Sequence, residues 1–320
     1  MSLYKYLLLF SFFFICCEKN SDIQYLGKLN LQLCNNEFIE GEELSVLSFN
    51  RWDKTSFYSA VDVINAVNPD IVALQESFDI GIQLADYFNF CFIGNNDESI
   101  SVLSKFPIEI IRDNQYKIIL NDMDYVNFFN VHLPAHPYQP YDIRDTLITT
   151  PAQAIHQAEQ TRGIDVDNLV EMISGLDDMM PIIVAGDFNE PSHLDWINHA
   201  ANPTQFQFNN SGEPFVVNWP ASNKMQNLEL IDSYRQINPN PIESPGYTWT
   251  PFYNVDEVHD RIDYIYYKNQ IELDSIFLVG SDIISDIIIE NYESDHRSVF
   301  AKFKLNILER PTCEFCDNSQ

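Results

Sequence analysis

Residues 181–189 read Pro-Ile-Ile-Val-Ala-Gly-Asp-Phe-Asn. An apolar run of strand length that ends in glycine predicts a buried strand followed by a tight turn. Asp187 and Asn189 lie in that turn. A lone Asp-x-Asn pair is most often a turn or a helix cap. Its position directly after the buried run Ile182-Ile183-Val184 favours a functional site instead.

Three other segments share this design, in which an apolar strand ends in a polar residue. Side chains alternate between the two faces of a strand, so a polar residue at its end can face a cleft while its apolar neighbours fill the core. If the strands lie side by side, we expect these polar ends to converge. The segments are residues 44–49 before Asn50, residues 70–75 before Glu76 and residues 125–131 before His132, and later strands are predicted at residues 261–267 and 297–303.

Helices are predicted between some of these strands. The helical spacing of apolar residues predicts one helix over 56–67, which Pro69 ends, and another over 165–175. The stretch 201–251 is rich in Asn, Pro and Ser. A long irregular connection inside a compact domain is usually functional or mobile. We therefore expect loops over the site there, interrupted by one short element at 228–232.

Charge limits the function classes. The chain has 320 residues, with 18 Lys and Arg against 47 Asp and Glu, and a formal net charge of -29. A protein that grips nucleic acid mainly through its phosphates would show clusters of basic residues, and this chain shows no such footprint. A bound divalent cation would add local positive charge that this count leaves out, so a nuclease stays an alternative. We expect a single-domain monomer.

The N-terminus predicts export. Lys5 precedes an apolar run that is too short to span a bilayer comfortably, and Cys17 follows that run. A cysteine at this point resembles a bacterial lipoprotein signal over residues 1–17. In that case a lipidated Cys17 would attach the protein to the outer surface or the periplasmic side of a membrane. Plain secretion is the alternative.

Export would make disulfides chemically possible. The cysteines beyond the signal can pair in three ways, and the sequence does not choose among them. The Cys-x-x-Cys pair in the tail lacks the further ligands of a zinc site. A tail disulfide or free thiols are the expected alternatives. The four cysteines are Cys34, Cys91, Cys313 and Cys316.

Two residues suit a hard cation. Hydrolysis of a phosphoester requires neutralisation of its charge, an oriented nucleophile and help for the leaving oxygen. Mg²⁺ takes oxygen ligands and keeps several waters, so one or two carboxylates with an amide oxygen suffice. Glu76 is the best candidate ligand, with Asn50 beside it, and Mn²⁺ is the alternative ion. Taken alone, Glu76 is as readily interpreted as a solvated acid at the end of a strand.

The remaining polar residues suit proton transfer. Asp187 can accept a proton from water or orient it, and Asn189 can donate its amide to a phosphate oxygen. In the tripeptide Ser294-Asp295-His296, the histidine is the predicted proton-handling group, because imidazole titrates near neutral pH and responds to a neighbouring carboxylate. Asp263 can hold the ring of His296, while Asp295 can face the metal.

Together these motifs resemble the endonuclease/exonuclease/phosphatase superfamily. The resemblance implies an α+β fold, a four-layer αββα sandwich of two packed, mostly antiparallel sheets flanked by helices, with the site at one end of the sheets. We assign residues 18–40 to a linker, 41–308 to the catalytic domain and 309–320 to a C-terminal tail. The motifs lie at Ser48–Asn50, Leu74–Ser77, Asn130–Leu133, Gly186–Asn189, Arg261–Tyr264 and Ser294–His296.

The resemblance also implies roles for individual residues. His132 would contact the phosphate, and His296 would be the general base or acid with Asp263 as its partner. Which group deprotonates the water stays open. The other implied roles are metal binding for Glu76 and Asn50, a place near the metal for Asp295, and contacts to water and phosphate for Asp187 and Asn189.

The substrate is less determined. The loop 133–141 is rich in aromatic residues and proline, and it either forms a wall in which Tyr138 contacts substrate or merely covers the sheet edge. Arg261 is expected to meet a substrate phosphate or to pair with Asp260. The leading hypothesis is an exported, Mg²⁺-dependent phosphodiesterase for a small or lipid-linked phosphoester. The alternatives are an extracellular deoxyribonuclease-like nuclease and a non-catalytic surface lipoprotein on the same scaffold.

Overall fold

The computed structural model describes residues 36–39, 41, 43–78, 80–94, 99–176, 180–197, 214–252 and 257–306. The predicted signal, most of the predicted linker and the tail lie outside these residues, as do Cys17, Cys34, Cys313 and Cys316. Cys91 takes part in a disulfide. Within the described ranges, no helix is both long and apolar enough to cross a membrane.

The described strands form two sheets. They are β1 (Glu43–Asn50), β2 (Ile71–Gln75), β3 (Cys91–Ile93), β4 (Ile100–Ser104), β5 (Ile108–Arg112), β6 (Gln115–Ile119), β7 (Tyr125–His132), β8 (Ile182–Asp187), β9 (Ile231–Asp232), β10 (Asp263–Lys268), β11 (Ile271–Gly280), β12 (Ile287–Ile288) and β13 (Ser298–Leu305). The seven-stranded sheet has the order β12-β11-β13-β1-β2-β4-β3, and the six-stranded sheet has the order β5-β6-β7-β8-β10-β9. Neighbours are antiparallel except in the parallel pairs β1–β2, β7–β8 and β11–β12.

Helices cover the outer faces of the two sheets. They are α1 (Phe57–Val67), α2 (Gly81–Phe88), α3 (Gln139–Arg144), α4 (Pro151–Ser174), α5 (Pro220–Asn227) and α6 (Ser233–Ile237). Helices α1 and α2 pack on the seven-stranded sheet, while α4 and α5 pack on the six-stranded sheet. Two mostly antiparallel sheets flanked by helices confirm the predicted αββα sandwich.

The alternation of side chains along the strands divides the core into layers. In β1, Leu44 and Val46 lie in the cluster between the sheets, whereas Leu47 and Phe49 contact the helices outside. Strand β8 divides in the same way, with Ile183 and Ala185 between the sheets. Both faces of these strands are therefore buried, which explains their continuous apolar runs.

The first predicted helix is confirmed with its predicted end. The side chain of Ser56 caps α1 by accepting a hydrogen bond from the Ser59 backbone, and Ala60 and Ile64 are buried against the sheet. Asn68, in the left-handed conformation, ends the helix directly before Pro69. A proline disfavours helical conformation in the residue that precedes it, so the helix stops there.

The second predicted helix starts earlier than predicted. Helix α4 begins at Pro151 rather than at 165, because Thr150 and Gln153 form a capping box and a proline is tolerated in the first turn. The first half of α4 buries the small residues Ala154 and Ala158. An apolar pattern based on large residues does not detect this half of the helix.

The prediction of loops over 201–251 needs correction. Helix α5 starts at Pro220 within this stretch, and Asp232 caps the short helix α6 by accepting a hydrogen bond from the Arg235 backbone. Proline contributes to the loop-like composition of this stretch, but it also suits the first turn of a helix. The expected element at 228–232 is the two-residue strand β9. Residues 201–213 lie outside the described chain.

Candidate active site

The site lies where the positions between the sheets change from apolar to polar. Asn50, His132 and Asp187 continue the inward-facing rows of β1, β7 and β8, and each is the last residue of its strand. The register places His132 beside Asp187 and Asp263 beside Asp187 in the six-stranded sheet. The predicted convergence of these strand ends therefore occurs in the structure.

The turn after β8 depends on Gly186. Its φ of 147° is rare for a residue with a side chain, and a Cβ there would lie 1.9 Å from the Val131 carbonyl oxygen. In the turn, Asp187 Oδ1 accepts a hydrogen bond of 2.7 Å from the Asn189 backbone. The Asn189 amide donates to Asp187 Oδ2 and to the Leu133 carbonyl, both at 3.0 Å. Asn189 therefore holds the Asp187 carboxylate, and contact with a phosphate would require it to release one of these bonds.

His296 and Asp263 form a buried pair. His296 Nδ1 lies 2.9 Å from Asp263 Oδ2. The Ser294 hydroxyl accepts a hydrogen bond from the His296 backbone and donates to the Asn50 carbonyl, so it fixes the approach to β13. Burial lowers the pKa of His296, but the Asp263, Asp187 and Asp295 carboxylates outweigh it and raise the pKa to about 10. The ring is protonated at neutral pH.

Asp187 lies between two imidazole rings. Its Oδ2 is 3.8 Å from His132 Nε2 and 3.9 Å from His296 Nε2. Asn50 donates to the same oxygen at 3.0 Å. Burial, followed by the charge of Asp263, raises the pKa of Asp187. The carboxylate is thus a basic group that faces two potential proton donors.

The predicted metal ligands Glu76 and Asp295 line the same cavity. Asp295 Oδ1 is buried and has no hydrogen-bond partner. Burial raises the pKa of Asp295 to about 6, and the charge of Glu76 adds to the rise. Two neighbouring carboxylates with an unpartnered oxygen fit a hard cation, which prefers oxygen ligands.

Two other features bear on the metal. Asn50 is buried, and its Oδ1 accepts from the Trp52 backbone, so its amide is already bonded on both sides. Asp187, Asp263 and His296 also offer ligand atoms within 4.8 Å of one another. That second set could hold an ion, but the Asp263–His296 hydrogen bond already occupies one of its donors. We therefore favour Glu76 and Asp295.

These groups surround a cavity of about 260 Å³. Of the predicted site residues, Asn50, Asp263 and Arg261 are not part of its lining. The lining residues are Trp52, Asp53, Glu76, His132, Ala135, His136, Tyr138, Tyr141, Asp187, Asn189, Trp249, Ile262, Asp295 and His296.

The predicted substrate contact of Arg261 is wrong. Its guanidinium is buried and donates to Asp195 and Asp232 on the helix side of the six-stranded sheet. Asp260, the alternative partner, instead accepts hydrogen bonds from the Tyr138 hydroxyl at 2.8 Å and from Trp196 at 2.9 Å. Arg261 and Asp263 would face the same side of the sheet only if both belonged to one regular strand. Strand β10 begins at Asp263, so the alternation rule does not apply to Arg261.

Sequence reasoning missed Trp249 as an individual site residue. Its ring centroid lies 4.9 Å from that of His296, and its backbone pairs with Asp260. The neighbouring Thr248 hydroxyl accepts hydrogen bonds from the Ile262 and Asp263 backbones. The only sequence signal was the location of Trp249 in the stretch predicted to cover the site.

A second missed feature is an amide pair between the sheets. Gln75 Nε2 donates to Asn130 Oδ1 at 2.7 Å, and Asn130 in turn donates to the Leu74 and Ser101 carbonyls. Both side chains are fully buried. They fix the end of β2, which precedes Glu76, against β7, which ends at His132.

Comparison with known proteins agrees with this arrangement. Residues 48–296 match the model of the Endonuclease/Exonuclease/phosphatase family. The chain belongs to this family. It is therefore a hydrolase of the phosphoesterase type. Enzymes of this family depend on divalent metals, and the buried Asp187, Asp263 and His296 offer ligand atoms for such an ion.

Similar sequences and structures occur in other organisms. The protein F14F9.5 of Caenorhabditis elegans is 26% identical over 308 residues, which cover 81% of this chain and 91% of that protein. TDP2 of D. rerio, crystallised with a single strand DNA product, has 16% identity and a TM-score of 0.51, with 82% and 99% of the two chains covered. An AP endonuclease from Archaeoglobus fulgidus has 15% identity and a TM-score of 0.52, with 81% and 98% covered. These two structures establish the fold alone.

Proposed function

We propose that the protein is an exported phosphodiesterase that uses Mg²⁺, or Mn²⁺ in its place, to hydrolyse a small or lipid-linked phosphodiester. The observation that carries the proposal is the convergence of Asp187, His132 and His296 on a cavity that also holds Glu76 and Asp295. This set combines a proton acceptor, two proton donors and ligands for a hard cation. Family membership supports the same chemistry.

The proposed role of each side chain follows from its charge. Asp187 accepts a proton from the attacking water, because it is a buried carboxylate whose pKa burial raises. His296 is protonated at neutral pH, so it donates a hydrogen bond or a proton to the phosphate or to the leaving oxygen. Asp263 holds the His296 ring at 2.9 Å and stabilises its positive charge. A divalent ion held by Glu76 and Asp295 would neutralise phosphate charge.

The lining favours a small diester over a long polyanion. None of the described residues that line the cavity is Lys or Arg. Extended nucleic acids are usually held by several basic side chains on their phosphates. The net charge of -29 points in the same direction. A nuclease function is therefore the weaker alternative.

Export is part of the proposal, and two observations support it. Residues 1–17 have the pattern of a signal that ends in Cys17. Cys91 is disulfide-bonded, and disulfides persist mainly in oxidising compartments. Mass spectrometry of the N-terminus of the full-length protein, expressed in a bacterial host, tests both forms of export. A lipid-modified Cys17 indicates anchoring, an unmodified processed N-terminus indicates secretion, and a retained Met1 contradicts export.

Turnover of bis-p-nitrophenyl phosphate tests the catalytic part. We expect hydrolysis with Mg²⁺ that stops on addition of EDTA and returns with excess metal. The Asp187→Asn variant keeps the size of the side chain and should lose most of the activity. Failure to turn over with either Mg²⁺ or Mn²⁺ would sink the catalytic proposal and leave the non-catalytic surface lipoprotein as the better interpretation.

A further inference from the structure

Aromatic rings contribute to the lining of the catalytic cavity. Four of the lining residues are Trp52, Tyr138, Tyr141 and Trp249, and we call these four the aromatic wall. Tyr138 and Tyr141 pack edge to face with ring centroids 4.9 Å apart. Trp52 packs against Phe252 with ring centroids 6.3 Å apart. A substrate group beside the phosphate would therefore meet ring surfaces.

The polar atoms of three of these rings are bonded within the protein. The Tyr138 hydroxyl donates to Asp260 at 2.8 Å, and the Tyr141 hydroxyl donates to Glu257. Trp249 Nε1 donates to the Tyr141 hydroxyl at 3.2 Å. Because these donors already have acceptors within the protein, the wall offers a ligand mainly π surface and apolar edges.

The protein also supplies cations to the rings of the wall. Lys54 Nζ lies 4.4 Å from the ring centroid of Trp52, and Arg144 Cζ lies 4.8 Å from that of Tyr141. A positively charged ligand group would be repelled by these two cations, so cation–π recognition of a substrate is disfavoured.

No Lys or Arg among the described residues lines the cavity to bind an additional phosphate, and the Arg144 guanidinium already pairs with the Asp145 carboxylate. The buried Arg51 donates to the Glu76, Thr55 and Asp53 carbonyls, and Arg261 donates to Asp195 and Asp232. Neither guanidinium lines the cavity. The fixed charges of the lining therefore suit one phosphate at the metal and a neutral group beyond it.

We propose that the aromatic wall binds an uncharged aromatic group that is esterified to the scissile phosphate. This inference rests on the function proposed above and narrows its substrate class to a phosphodiester with one negative charge and a neighbouring ring. Aromatic pairs gain about 0.5–1.5 kcal/mol beyond the burial of their area, so the wall distinguishes a flat ring from an aliphatic group of equal size.

The test compares two phosphonates in isothermal calorimetry with the full chain and Mg²⁺. Methyl benzylphosphonate and methyl cyclohexylmethylphosphonate carry one charge each, and a carbon replaces the ester oxygen next to the ring. We expect the benzyl compound to bind roughly two- to tenfold more tightly. Trp52→Leu and Tyr141→Leu keep apolar bulk and should each bring this ratio close to one. Tyr58→Leu is the matched control, since Tyr58 is exposed and is not part of the cavity lining.

The outcomes separate this inference from the proposed function. Equal binding of the two compounds, tighter binding of the cyclohexylmethyl compound, or an unchanged ratio in both leucine variants would overturn the aromatic subsite. If bis-p-nitrophenyl phosphate is hydrolysed while neither phosphonate binds, the subsite fails and the phosphodiesterase stands. If the benzyl preference is present without any turnover, the proposed catalysis fails while the ring site remains.

Discussion

Two charged clusters lie on opposite faces of the six-stranded sheet, and their charge balance differs. On the helix side, Arg235 and Arg261 face Asp195 and Asp232, two cations against two anions. On the catalytic side, His296 faces an excess of carboxylates. These are Glu76, Asp187, Asp263 and Asp295.

The difference separates a structural cluster from a functional one. Each guanidinium nitrogen of Arg261 has a carboxylate acceptor at 3.1 Å or less. Asp232 Oδ2 makes no hydrogen bond but lies 2.8 Å from the Arg261 guanidinium. In the catalytic cluster, Asp263 Oδ1 and Asp295 Oδ1 are buried without hydrogen-bond partners. In the balanced cluster, the protein's own cations neutralise the carboxylates. In the unbalanced cluster, the carboxylates outnumber the cations, so a bound cation and a substrate can supply the missing partners.

The largest expected effect is the loss of turnover on removal of the catalytic imidazole. We expect His296→Ala to lower kcat/KM for bis-p-nitrophenyl phosphate by about 10²–10⁴-fold, because a positioned acid or base contributes a factor of this size. The His156→Ala variant removes an exposed imidazole from α4 and should keep full activity. Circular dichroism should show both variants folded. Activity of His296→Ala within a fewfold of wild type would contradict its role.

The balanced cluster should respond in stability instead. We expect Arg261→Met to lower the free energy of unfolding by about 3–5 kcal/mol, because it leaves Asp232 buried without its cation and Asp195 with Arg235 alone. Urea denaturation measures this change. Lys304→Met removes an exposed ion pair with Asp274 and should have little effect. If Arg261→Met leaves the stability unchanged and raises the KM, Arg261 contacts the substrate, contrary to the structure.

We expect a divalent metal to stabilise the folded protein through the catalytic cluster and not through the cluster around Arg261. At a concentration of about 100 times its Kd, Mg²⁺ should raise the free energy of unfolding by about 2.7 kcal/mol. Glu76→Gln should abolish this gain, and Arg261→Met should keep it. Thermal denaturation with and without Mg²⁺ measures the difference.

The same experiment distinguishes the two candidate sets of ligands. If Glu76 and Asp295 hold the ion, Asp263→Asn keeps the metal-dependent gain in stability. Loss of the gain in Asp263→Asn, together with its retention in Glu76→Gln, would instead assign the ion to Asp187, Asp263 and His296.

The sequence predicted the part of the site that depends on local rules. Strand alternation and the polar strand ends place Asn50, His132 and Asp187 together, because neighbouring strands bring matching ends to the same edge. The αββα fold followed from the resemblance carried by the motifs. The helices were partly predicted, since α1 has a clear cap and stop whereas the first half of α4 buries small residues.

The remainder depends on contacts between segments far apart in sequence. Asp195 and Asp232 meet Arg261 only because the loop after β8 and strand β9 fold onto the same face. The contact of Trp249 with His296 depends on the path of an irregular loop. Local patterns carry no information about such pairings, so the sequence alone did not distinguish Arg261 from a substrate ligand.

The smallest expected effect concerns Asp260, which connects the two regions. It precedes Arg261 in the chain, but its carboxylate accepts hydrogen bonds from Tyr138 in the aromatic wall and from Trp196. Burial raises its pKa to about 7 from the ordinary 3.8. The folded state therefore binds this proton more tightly than the unfolded state does. The resulting stability is fully present below the unfolded pKa and is lost as the pH rises through 7.

Asp260→Asn mimics the protonated carboxyl at every pH and should remove this dependence. Relative to that variant, wild type should lose about 2 kcal/mol of unfolding free energy between pH 5 and pH 7, because each pKa unit corresponds to 1.36 kcal/mol. Urea denaturation of both proteins at the two pH values measures the loss. Parallel changes in the two proteins would show that Asp260 does not titrate in this interval. In that case the folded protein would balance the charge of Asp260 throughout this interval, as it balances the charges of Asp195 and Asp232 beside Arg261.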